Sequence, residues 1–126
     1  MESRTILFVG IGGMLGSICR YLMVTLVVSL LPFTFPFGTF AVNVIGSFVM
    51  GAVVGLAEQY LWMQHDWRIF LTAGFCGGFT TFSAFAFENV ELLIDKNYLI
   101  FGVYSISSFI LCLGAAFLGL MLTRGS

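Results

Sequence analysis

Charge is what this sequence has least of. Only 9% of its 126 residues are charged, while 60% are hydrophobic. Soluble domains carry about a quarter charged residues. Mean hydropathy is +1.06. A soluble fold of this length has too much surface for its volume to hide so much apolar area. A bilayer removes the difficulty by acting as the apolar solvent.

Other shortages narrow the function. The net charge of −1 leaves no basic patch for nucleic acid and no strong pull toward anionic lipid. Histidine occurs once, as His65 beside Asp66 in a polar stretch, and a lone loop histidine is read as solvated. The cysteines number three, Cys19, Cys76 and Cys112, all in apolar segments. Each is expected to be a small packed thiol, not half of a disulfide or a metal ligand. No nucleophile–base pair and no metal cluster is visible, so an enzyme is not expected. No GxxxxGK[ST] loop is present to bind ATP. Gly10, Gly12 and Gly13 do not complete GxGxxG, because Leu15 stands where the last glycine belongs.

What is present is three long uncharged stretches, the first long enough for most of two spans. No charge lies between Arg20 and Glu58, between Arg68 and Glu88, or between Lys96 and Arg124. A spanning helix needs about 20 apolar residues. The pattern predicts spans at about 5–31, 38–60, 69–94 and 98–122. Pro32 and Pro36 end one helix and start the next. Asp95, Lys96 and Asn97 make a tight turn. The apolar run from Ile6 is too long for a signal core and has no clear small-residue cleavage site, so it is taken as a retained span. The fold class is an all-α membrane protein, one four-helix domain over 1–126. Arg4, Arg68 and Arg124 fall on one side and Lys96 on the other. That mildly favours cytoplasmic termini and leaves room for insertion both ways.

Polar groups inside such spans face protein or water. In the first span Gly12, Gly16 and Arg20 recur at four-residue steps. The glycines read as close helix packing. Arg20 either snorkels to an interface or has a buried or vestibular role. In the second span Thr39, Asn43 and Ser47 share a face. Two readings stand for Asn43: interhelical hydrogen bonding, or donation of its amide N–H groups to an anion. In the fourth, Tyr104, Ser108 and Cys112 align as a possible hydrated track, although serine hydroxyls also bond back to their own helix.

The third span carries most information. Gly74-Phe75-Cys76-Gly77-Gly78-Phe79-Thr80-Thr81-Phe82-Ser83 is poor helix material. A break is expected here, and a break exposes backbone groups that can meet an ion. Phe82 and Phe85 then share a helix face, and the positive edge of a phenyl ring suits an anion. Glu88, Glu91 and Asp95 follow as a solvated vestibule.

The segments GIGGMLGSICRY at Gly10–Tyr21, GTFAVNVIGSFVMG at Gly38–Gly51 and GFCGGFTTFSAFAFE at Gly74–Glu88 resemble the Fluc (CrcB) fluoride channels over nearly the whole chain. Ala84 departs from a frequent threonine of that family. The resemblance implies an antiparallel, dual-topology homodimer in the bacterial inner membrane, with two pores that export fluoride passively. It implies a central structural sodium ion held by the backbone carbonyls of Gly77 and Thr80. It places Asn43, Phe82 and Phe85 along the fluoride pore. Thr39, Tyr104 and Ser108 extend the polar track, with Thr81 and Ser83 beside it and Arg20 and Glu88 in the vestibule. Pairing is also expected on physical grounds, since four short helices can hardly enclose a pore and still shield their polar faces. Two rivals remain. A proton-coupled multidrug exporter needs an embedded acid in the first span, which has none. A non-transporting assembly subunit leaves the alignment of Asn43, Ser108, Phe82 and Phe85 without a purpose.

Overall fold

The structure is a computed structural model that describes residues 2–125. Met1 and Ser126, the ends of the domain expected over 1–126, lie outside the described residues. Four helical segments, Ser3–Leu30, Phe37–Gln59, Asp66–Ile94 and Tyr98–Thr123, are long and apolar enough to cross a membrane. The third is composite. In chain order the elements are α1 (Ser3–Leu30), α2 (Phe37–Gln59), a 3₁₀ turn (Leu61–Met63), α3 (Asp66–Ile69), a π-helical stretch (Phe70–Cys76), α4 (Gly77–Phe79), α5 (Phe82–Ile94) and α6 (Tyr98–Thr123). The third segment starts at Asp66, ahead of the expected Ile69.

The outside is apolar and the packed interior small, the inverse of a soluble fold. Leu7, Leu22, Leu30, Phe109 and Leu122 are all exposed. Water would penalise that surface and lipid does not. With no hydrophobic difference between lipid and leucine, helices associate by close approach, and small residues permit it. A Cβ on Gly12 would press on the backbone of Phe70 and Gly74. One on Gly16 would strike the Phe75 carbonyl, and one on Gly78 the backbone of Gly13. These contacts seat α1 on the π-helical stretch and α4. On the other flank α2 packs against α6, where Gly51 meets the Ala116 carbonyl and Gly119 the Phe48 carbonyl.

The ends follow from sequence. The N–H of Leu31 closes α1 on Val27, and Pro36 precedes α2. The turn after α5 is a Schellman closure: Asn97 N–H bonds Leu92 O and Lys96 N–H bonds Leu93 O. Lys96 holds the left-handed position (φ 58°) that glycine usually takes. Arg4 pairs with Asp66, and Arg124 lies 3.4 Å from Glu58. Both termini and the α2–α3 connection therefore meet at one end of the bundle. Cys76 is buried and Cys112 half-buried, but Cys19 is exposed on α1, not packed as expected. Its face of α1 has no neighbouring helix to cover it.

Candidate functional site

Between α4 and α5 the chain runs extended for two residues, Thr80 (φ −87°, ψ 158°) and Thr81 (φ −149°, ψ 117°). Helix-compatible bonds stop there. Thr80 sends both its N–H (3.0 Å) and its Oγ1 (2.8 Å) to the Cys76 carbonyl. Thr81 finds its partners on α2. Its N–H donates to Asn43 Oδ1 at 2.8 Å, and its carbonyl accepts from Asn43 Nδ2 at 3.1 Å. An N–H can only donate and a carbonyl only accept, so the pair fixes which way the Asn43 amide points. One side chain thus satisfies two backbone groups that hydrocarbon would leave unpaired at high cost. Thr81 Oγ1 then accepts from the Ala84 N–H at 3.2 Å and caps α5.

Arg20 buttresses the same place. Its Nε donates to the Gly78 carbonyl at 2.9 Å, and the residue is half-buried. Bonding through Nε leaves the four N–H groups of the terminal nitrogens.

Beside α5 lies a groove of about 650 Å³, lined by Asn43, Ser47, Thr81, Phe82, Phe85, Ser105, Ser108 and Phe109, among others. Phe82 is 77% exposed, and its ring centroid is 5.7 Å from that of the half-buried Phe85. Ser83 is exposed, its Oγ 3.3 Å from Thr81 Oγ1. Ser108 is buried, and its hydroxyl has no hydrogen-bond partner among the described residues.

A second polar cluster sits farther along α5. Glu88 accepts from Thr39 Oγ1 and from the Tyr104 hydroxyl, each at 2.8 Å. It is half-buried, and both its carboxylate oxygens accept hydrogen bonds. The reason is local: Thr39 and Tyr104 project from α2 and α6 onto one carboxylate. The Tyr104 ring is wholly buried among Phe35, Phe40 and Phe85, 4.9–6.5 Å between centroids. Asn89, buried on the next position, accepts from Ser105 Oγ at 3.3 Å. Sequence reasoning passed over Asn89. Its place seven residues after Phe82, on the same helix face, was the available signal.

The residues expected to hold a cation can be tested for fit. Among the described residues, no three His, Cys, Asp or Glu side chains come together, so carboxylate or imidazole ligation is not on offer. Neither the Gly77 nor the Thr80 carbonyl takes a hydrogen bond from a described residue. Gly77 is exposed and Thr80 half-buried. Two free carbonyl oxygens on an accessible face suit a hard monovalent cation.

Four helices long and apolar enough to cross a membrane, an exposed apolar jacket and a groove with polar groups beside α5 are the pattern of a multi-pass membrane protein. The chain matches the family described as "CrcB-like protein, Camphor Resistance (CrcB)" over residues 7–120. It belongs to that family. It is 44% identical over 119 residues to the "Fluoride-specific ion channel FluC" of Gloeothece citriformis, covering 94% of this chain and 96% of the relative. The proteins of that name from Geotalea daltonii and Campylobacter jejuni are 40% and 42% identical, each over 121 residues, 96% of this chain and 98% of theirs.

Proposed function

We propose that this protein is a fluoride channel of the bacterial inner membrane. It works as an antiparallel homodimer with two pores and carries fluoride passively out of the cytoplasm. The observation that carries the reading is the Asn43–Thr81 clamp, which holds two extended residues at membrane depth beside a groove bordered by Phe82, Phe85 and Ser108. Non-helical backbone is tolerated at such depth only beside protein or a watery path. The matched relatives' names supply the ion.

Fluoride gives up a tight hydration shell only to closely spaced donors. The groove offers the second N–H of the Asn43 amide, the unpartnered Ser108 hydroxyl and the positive edges of two phenyl rings. Thr39 and Tyr104 donate hydrogen bonds to Glu88, so fluoride passing that point competes with a carboxylate for the same donors. Among the described residues no ring of cations lines the groove, so the anion is not trapped. The free carbonyls of Gly77 and Thr80 would hold the structural sodium ion, which neutralises carbonyl dipoles at the dimer centre.

Fluoride efflux from liposomes containing the purified protein, with chloride in parallel, tests the reading. Fluoride should leave rapidly and chloride should stay. Phe82→Ile or Phe85→Ile should cut flux by about tenfold or more, the loss of roughly 1.4 kcal/mol of ion stabilisation. Protein purified without sodium should lose flux in the same assay. No fluoride loss from folded dimers overturns the channel and returns the proton-coupled exporter or the non-transporting assembly subunit.

A further inference from the structure

A second cavity, of about 390 Å³, lies at the end of the bundle where the termini meet, away from the groove. It is lined by Arg4, Phe8, Trp62, Gln64, Asp66, Trp67 and Phe70. The channel reading uses none of these. Trp62 and Trp67 are 62% and 53% exposed, and they are the only two tryptophans in the chain. Tryptophans at helix ends mark the headgroup level of a bilayer.

The charges in this cavity are paired. Arg4 binds Asp66, and its guanidinium lies 5.8 Å from the centre of the Phe8 ring. Asp66 also meets His65 Nδ1 at 2.8 Å. Yet the Arg4 side chain is 67% exposed and keeps unused donors, and the Asp66 carboxylate keeps lone pairs. A ligand here meets a cation and an anion in contact with each other. An anion alone would face Asp66, and a cation alone would face Arg4. A zwitterion with neighbouring phosphate and ammonium groups answers both. Trp62 and Trp67 line the same cavity, and an indole face within about 6 Å of the ammonium would add attraction. Phe8 and Phe70 supply an apolar floor for the start of an acyl chain.

We propose that this cavity binds the headgroup of a zwitterionic phospholipid of the phosphatidylethanolamine type, phosphate on Arg4 and ammonium between Asp66 and the indoles. The site is independent of fluoride conduction, and its test uses no fluoride.

Because both tryptophans border the cavity, their fluorescence reports its occupant. The purified protein is reconstituted in bilayers containing phosphatidylethanolamine, phosphatidylglycerol or phosphatidylcholine with brominated chains, at equal mole fraction. Brominated phosphatidylethanolamine should quench with an apparent affinity about threefold above brominated phosphatidylglycerol, the scale of one exposed charge pair. Phosphatidylcholine, whose ammonium has no N–H, should fall between. Arg4→Gln and Asp66→Asn should each erase the preference. Equal quenching by the three lipids, or preference for phosphatidylglycerol, overturns the proposal. So does a preference that survives both substitutions. If neither variant folds, the wild-type comparison decides alone.

Discussion

Two flanks of this bundle place polar side chains between helices, and they treat them differently. On the α2–α6 seam, Thr123 Oγ1 donates to the carbonyls of Ala52 (3.0 Å) and Gly119 (2.8 Å), and Gln59 donates to the Thr123 carbonyl at 3.1 Å. The acceptors are all backbone, and glycines bring the helices into contact around them. Along α5 the donors meet side chains instead: Thr39 and Tyr104 on Glu88, Ser105 on Asn89. Ser108 meets nothing among the described residues, and an open groove runs alongside. The first flank uses polarity to close a seam. The second keeps exchangeable donors beside a space. Side-chain acceptors can let go by rotating, whereas helical carbonyls cannot.

The most damaging way to probe the contrast is to part the closed flank. Gly119→Leu would drive a side chain into the Phe48 carbonyl and the Ala52 N–H, both backbone. Overpacking a core costs about 1–3 kcal/mol when side chains can shift, and more when they cannot. The expected outcome is loss of monodisperse protein on size exclusion. A leucine at Gly102, where a Cβ meets nothing within 4 Å, should be accepted. Normal yield from Gly119→Leu would mean that the seam is looser than described.

On the open flank the corresponding change is Asn43→Asp. It keeps an acceptor for the Thr81 N–H but loses the donor to the Thr81 carbonyl and sets a negative charge on the groove. A unit charge about 4 Å from an anion costs on the order of 4 kcal/mol near a protein surface. Fluoride efflux should fall by tenfold or more while the protein still purifies intact, reversing the pattern of Gly119→Leu. Undiminished efflux would leave Asn43 as a structural clamp alone.

How much of this was legible beforehand differs between the flanks. The four spans were plain, because uncharged runs of that length have one physical use. Packing by Gly12 and Gly16 was also legible, since small residues one turn apart make a flat stripe. Partners across helices were not. Four-residue spacing gives the face of a residue but not what stands opposite. Asn43 and Thr81 are 38 positions apart, Arg20 and Gly78 58, Thr39 and Glu88 49. Glu88 read as a solvated end-of-span acid because nothing in its own helix announces hydroxyls from two others. The weakness of the Gly-Gly-Phe-Thr-Thr stretch as helix was visible, but not that an asparagine on α2 would supply the missing bonds.

The finest comparison sets a half-buried, bonded hydroxyl against a buried, unbonded one. Thr123→Val removes a single hydroxyl proton shared by two helical carbonyls, which keep their backbone donors. Its cost should be about 0.5–1.5 kcal/mol, seen as a lower melting temperature in detergent, with little change in efflux. Ser108→Ala removes a buried hydroxyl that has no partner among the described residues. Burying such a group costs about 1–3 kcal/mol, so its removal should leave the melting temperature unchanged or raise it. Efflux, however, should drop a few-fold, because one donor on the groove is gone. Stability and flux would then move in opposite directions at Ser108, which a packing serine cannot produce. A lower melting temperature with normal efflux at Ser108 would place it with Thr123, and the two flanks would be alike.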